Sequence, residues 1–195
     1  MDIGKKRNET TEIGMNVMDE LLKYDKEFSD SKFKTKVDNI FVMLHMSYMT
    51  KNLDRVKHFL SDDVYKKYSD KLNELNNMHV IQMYDELNVK STEIIDVNVM
   101  EDKFVIKVML ISRYMDYLIN DTTREFVSGN NSSRVERTNY LTFEKIRDYK
   151  DQGYARKCPG CGANIDVNNS GKCTYCGAIY NNQDYDWILV DIETV

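Results

Sequence analysis

The chain has 195 residues, 42% of them hydrophobic, and a formal charge of −5, which suits one domain of ordinary size with a small satellite. The charge argues against a protein wrapped in nucleic acid, whose phosphates call for a concentrated basic face. Lys107, Arg113 and Asp116 interrupt the apolar stretch from Val105 to Ile119, so it cannot span a bilayer as a helix, and no apolar run of leader length follows Met1 to Arg7.

In chain order, Ile13, Val17, Leu21 and Phe28 recur near helical spacing, with Met18 and Leu22 widening the stripe. This predicts an amphipathic helix from Thr11 to about Phe28. Such a helix covers its own domain's core, meets a partner or lies on a membrane surface, and its mixed-charge polar face suits anionic lipid poorly. A second helix is predicted from Ser31 to Met49, with Phe33, Val37, Ile40, Phe41, Leu44 and Tyr48 on one side. Asn52-Leu53-Asp54 breaks it and starts a short helix through Leu60, and Ser61-Asp62-Asp63 caps a longer one carrying Val64, Tyr65, Tyr68, Leu72 and Leu75.

The period then changes to two. Thr92 to Met100 alternates Ile95, Val97 and Val99. After a turn at Glu101-Asp102 a long strand is predicted from Lys103 to about Ile119, with Phe104, Ile106, Val108, Leu110, Ser112, Tyr114, Asp116 and Leu118 on one face. A polar connection containing Asp121, Gly129, Asn130 and Asn131 precedes a strand from about Arg134 to Ile146, and Asp186 to Ile192 reads as a final strand.

Between those last two strands stand all four cysteines, as Cys158-Pro159-Gly160-Cys161 and Cys173-Thr174-Tyr175-Cys176. Each pair puts two sulfurs on one tight turn, and the residues between the pairs can fold back to complete a tetrahedron of thiolates around one structural zinc ion. Redox disulfides and an iron–sulfur cluster are the alternatives. Four protein ligands leave no open position on the metal, so it would stabilise a fold and take no part in a reaction. Thiols paired for metal point to the cytoplasm.

Helices first and long antiparallel strands after, together with Asp25 to Phe28, Leu60 to Tyr68, Tyr114 to Tyr117, Phe126 to Gly129 and Leu141 to Lys145, resemble the C-terminal domain of the mitochondrial inner-membrane translocase subunit 44 family. Members tend to carry tryptophan where Leu141 stands and arginine where Lys145 stands. The ribbon Cys158 to Ala163, with Asp186-Trp187 after it, is similar to bacterial proteins of this type. The resemblance implies an α+β cone of the nuclear-transport-factor-two-like class, helices packed on a curved antiparallel sheet. It also implies a concave, partly apolar pocket and a role in organising proteins near a membrane, as the mitochondrial relative tethers an import motor to a translocase.

The expected organisation is a leading helical segment over 1–30, the cone over 31–154, a zinc ribbon over 155–182 and a closing strand over 183–195. Phe41, Leu44, Tyr48, Leu110, Tyr114 and Phe143 are the candidate pocket residues, chosen for apolar or aromatic character on faces that should turn inward. The favoured reading is a non-enzymatic binding or scaffold module, cytoplasmic and peripheral to the inner face of a membrane. Its partner would be a protein segment or a lipid-like ligand, with self-association a further expectation. An isomerase or dehydratase using Asp116, with Tyr114 on the same strand face, is the enzymatic alternative. The ordinary reading of Asp116 is a solvated carboxylate at the rim. His45 is read as a hydrogen-bonded core or boundary residue. A nucleic-acid-binding ribbon is a third reading, weakened by the lack of a basic cluster beyond Arg156, Lys157 and Lys172.

Overall fold

A computed structural model describes residues 18–26, 28–147, 156–157, 163–165, 175–176 and 187–195. Residues 18–24 are helical (α1) and bury Leu21 completely. Ile13 and Val17, the earlier part of the predicted stripe, lie outside the described residues.

Helix α2 spans Asp30–Met49, one residue earlier than predicted, because the Ser29 side chain accepts a bond from the Lys32 amide and Asp30 complements the positive end of the helix. Phe33, Val37, Ile40, Phe41, Leu44 and Tyr48 are its buried face. The chain then tightens into two 3₁₀ turns, Leu53–Arg55 and Lys57–Phe59, where a short helix was expected. Helix α3, Asp62–Asn77, starts at Ser61, whose hydroxyl accepts from the Val64 amide, and buries Val64 and Leu72. It stops before His79, which sits at φ +54°. No helix among the described residues is long and apolar enough to cross a membrane.

Four strands form one antiparallel sheet in the order β1-β2-β3-β6: β1 Val80–Val99, β2 Lys103–Asn120, β3 Phe126–Ile146 and β6 Ile188–Thr194. A separate pair, β4 Arg156–Lys157 and β5 Asn164–Ile165, lies in the connection between β3 and β6.

Strand β1 begins twelve residues before the predicted Thr92. Its alternation is hidden because the register against β2 shifts between Asp85 and Asn88, between Val89 and Ser91, and between Ile94 and Asp96. Each irregularity advances the inward face by three residues instead of two. The side chains packing on the core are accordingly Tyr84, Leu87, Val89, Ile94, Val97 and Val99, and the same insertions bend the strand. Ile95, expected inside, is 49% exposed, and Ile94 takes its place.

Strand β3 begins at Phe126, so Gly129, Asn130 and Asn131 belong to it and the true connection is short. The irregularity that masks this lies between the pairs Tyr114–Val135 and Asp116–Asn130, where β3 gains residues over β2. The Asn130 side-chain oxygen accepts from the amides of Ser132 and Ser133 and holds the extra loop. Gly129, at φ +100°, lets the strands approach, since a Cβ there would meet the Asp116 carbonyl oxygen at 2.5 Å and the Tyr117 Cα at 2.6 Å.

The core lies between α2 and the sheet, where Phe33 packs edge-on against Phe143 and Trp187 at 5.6 and 5.1 Å between ring centres. The end of α1 is tied to it by Lys145, whose ammonium is 2.7 Å from the Asp25 carboxylate and 5.8 Å above the Trp187 ring. Buried Asn139 donates to the Leu110 carbonyl and the Ser112 hydroxyl and accepts from Thr194, which fixes the register of β6. The fold is α+β with helices on an antiparallel sheet, as expected for the cone.

Candidate functional site

The last pair of β6 with β3 is Thr194 with Asn139. Next to it lies a cleft of about 370 Å³ lined by His45, Tyr48, Tyr68, Lys71, Gln82, Tyr84, Tyr114, Asp116, Arg137, Thr194 and Val195. Helices α2 and α3 supply the first four, β1 gives Gln82 and Tyr84, β2 gives Tyr114 and Asp116, and β3 gives Arg137.

The rings form a connected group. Tyr84 meets Tyr114 edge-on at 5.2 Å, Tyr48 meets Tyr68 edge-on at 5.6 Å, and Tyr48 lies 6.3 Å from Tyr84. His45 sits 4.7 Å from Tyr84 and 5.8 Å from Tyr114. Its Nδ1 is 2.8 Å from the Phe41 carbonyl oxygen, which can only accept, so Nδ1 carries the proton of the neutral ring. Burial pushes the imidazole down to about 4, against the opposing pull of the Phe41 bond and the Asp116 charge. Burial also raises the phenols: Tyr48 to about 12, and Tyr68, Tyr84 and Tyr114 in the same direction. All four remain O–H donors at neutral pH.

Asp116 is partly exposed at the edge of this group. Gln82 Nε2 donates to its Oδ1 at 2.9 Å, and an Arg137 nitrogen lies 3.5 Å from Oδ2. Both oxygens are occupied in holding the wall together, a role that leaves the carboxylate at the rim.

Of the six pocket candidates, Tyr48 and Tyr114 border the cleft. Phe41, Leu44, Leu110 and Phe143 have no exposure and are core residues, because they belong to the one apolar cluster between the helices and the sheet. The cleft wall is accordingly more polar than the apolar pocket expected. Tyr68, Tyr84, Gln82 and Arg137 escaped sequence reasoning. Tyr68 was visible as part of an apolar helical stripe, and Tyr84 was hidden with the first half of β1. Nothing in the local pattern distinguishes Gln82 or Arg137. Cys158, Cys161 and Cys173 lie outside the described residues, and Cys176 is described, exposed, beside Tyr175 on a turn.

No curated protein matches the chain by sequence. A solved structure, the intermembrane space region of the chloroplast protein ARC6, aligns with 87% of this chain and 98% of its own at 9% identity and a TM-score of 0.49, a likeness too slight to carry fold or function. The Tim44-like domain matches residues 15–155, well over half of the sequence. On that match the chain belongs to the Tim44-like domain family.

Proposed function

We propose that the chain is a non-enzymatic binding and scaffold module related to protein-transport tethers, and that the cleft beside His45 receives a ligand or a segment of a partner protein. The observation that carries this reading is the cleft, a concavity built from four strands and two helices in a domain of a family whose mitochondrial namesake tethers other proteins. Phenol hydroxyls and the Asp116–Arg137 pair suit a polar occupant. An acyl chain would strip water from those groups without replacing their hydrogen bonds, so a lipid-like ligand fits this wall less well than a peptide segment. A cytoplasmic location, peripheral to the inner face of a membrane, goes with the same reading.

The zinc ribbon belongs to this proposal. Arg156 pairs with Ile165 and Lys157 with Asn164, and the first cysteine pair lies between these pairs in the sequence. Cys158, Cys161, Cys173 and Cys176 would hold one zinc ion in a closed tetrathiolate, which would order the connection between β3 and β6 and supply no chemistry.

A photo-crosslinking residue at Lys71, on the cleft rim, tests the binding reading against one at the exposed Ile95. The expected result is a defined protein captured from position 71 and absent from position 95, identified by mass spectrometry. No position-specific product, together with no flotation on liposomes and no saturable small-molecule binding in the cleft, overturns the proposal.

A further inference from the structure

His45 is 7% exposed and borders the cleft. With its Nδ1 proton given to Phe41, the other ring nitrogen is a lone-pair acceptor, and it has no hydrogen-bond partner among the described residues. The hydroxyls of Tyr48, Tyr68 and Tyr84 have none there either. The cleft therefore holds one buried acceptor and three phenols able to donate, on rings whose centres lie 4.7 to 6.3 Å apart. Buried polar groups left without partners are costly, and an occupant that completes them is correspondingly favoured.

The charged groups facing this space come in opposing signs. Asp116 is offset by Arg137 at 3.5 Å. Lys71 lies over the Tyr68 ring at 5.6 Å, and Glu74 acts on Tyr48 from the same helix. Desolvation holds His45 uncharged and the phenols protonated, so the buried part of the wall offers neutral hydrogen-bonding groups. Its volume of about 370 Å³ is at the lower end of ligand sites, which run from about 300 to 1,000 Å³. Aromatic faces combined with a dense set of hydrogen-bonding edges match a molecule that has C–H faces and hydroxyl edges.

We propose that this cleft binds a small uncharged ring compound rich in hydroxyl groups, of the sugar or cyclitol type, with one ligand O–H donating to the free nitrogen of His45 and ligand oxygens accepting from Tyr48, Tyr68 and Tyr84. The inference rests on the reading of the cleft as a binding site and names the chemistry of its occupant.

The test is a titration of the full chain, labelled with ¹⁵N in histidine, with glucose and with myo-inositol, and in parallel with glucuronate and glucosamine. One neutral compound is expected to move the His45 Nε2 resonance saturably, with each charged analogue at least about tenfold weaker. Tyr84→Phe keeps the ring, loses the hydroxyl and is expected to weaken the neutral compound about tenfold, whereas Tyr24→Phe, remote from the cleft, leaves it unchanged. Equal binding of charged and neutral compounds, an unchanged affinity in Tyr84→Phe, or no saturable shift with either neutral compound overturns the assignment. If the assignment fails while the position-71 crosslink persists, the binding reading stands and its occupant is a peptide segment. If both fail, the binding reading falls with it.

Discussion

The two halves of β2 are built on different principles. From Phe104 to Tyr114 every second side chain is buried under the helices, whereas from Met115 to Asn120 all six residues are only partly covered. The inner half is held by apolar burial. The outer half is held by the ladder itself and by side-chain pairs across strands: Tyr117 with Asp85, Gln82 with Asp116 at 2.9 Å and, at the junction, Arg134 with Glu86 at 3.5 Å. Exposed ion pairs of that kind contribute little each, so the outer half depends on backbone geometry, and the cleft lies at the junction of the two regimes. A binding site there can have rigid walls on one side and adjustable ones on the other.

The contrast can be broken most forcefully from the inner half. Phe143→Ala, at a residue with no exposure, is expected to cost about 3–5 kcal/mol in chemical denaturation, through lost burial and the cavity left under Phe33. A loss below about 1 kcal/mol would mean the core does not carry the fold.

His45, at the junction, gives the next largest effect. The unfolded chain takes up a proton at this position near pH 6.5, while the folded chain resists until about 4. The stability owed to the neutral ring is therefore fully present above pH 6.5 and is lost as pH falls toward 4, by about 3 kcal/mol in total. The wild type should lose that much more than His45→Gln over this window. Parallel pH profiles would contradict the buried, neutral imidazole.

In the outer half Gly129→Ala is expected to cost about 1–3 kcal/mol, since φ +100° and the approach to Asp116 both oppose a Cβ. Hydrogen exchange should localise the damage to amides of 115–120 and spare 104–114. Uniform loss of protection would show that the halves are one cooperative unit. The smallest effect on the cone is expected from Cys161→Ser. It should abolish the binding of one zinc ion by elemental analysis while the main unfolding transition moves by no more than about 2 °C. Full zinc occupancy in the mutant would remove the tetrathiolate proposal.

The inner half was legible in the sequence because its signals are local. An apolar run rich in β-branched residues marks β2 from Phe104 to Tyr114, the spacing of Phe33 to Tyr48 marks α2, and Ser61 marks the start of α3. Strand β1 was half missed because three register shifts convert a period of two into an irregular one, and β3 was begun late because Gly129 and the asparagines read as a turn. The cleft was legible in part. Tyr48 and Tyr114 carry aromatic side chains on inward faces, as does Phe41, but which of them borders space and which is packed over depends on how α2, α3 and the four strands meet. That is a long-range fact, and no short window of sequence contains it.

Glu144 of β3 and Ile188 of β6 are paired neighbours in the ladder. Everything between them thus leaves and re-enters the sheet at adjacent points, and the cone's connectivity is indifferent to its length. The whole cysteine-bearing stretch is topologically a hairpin loop, a socket into which one small module can be exchanged for another without rethreading the core. Evolution or a protein engineer could vary the length of this connection while keeping the pairing of β3 with β6.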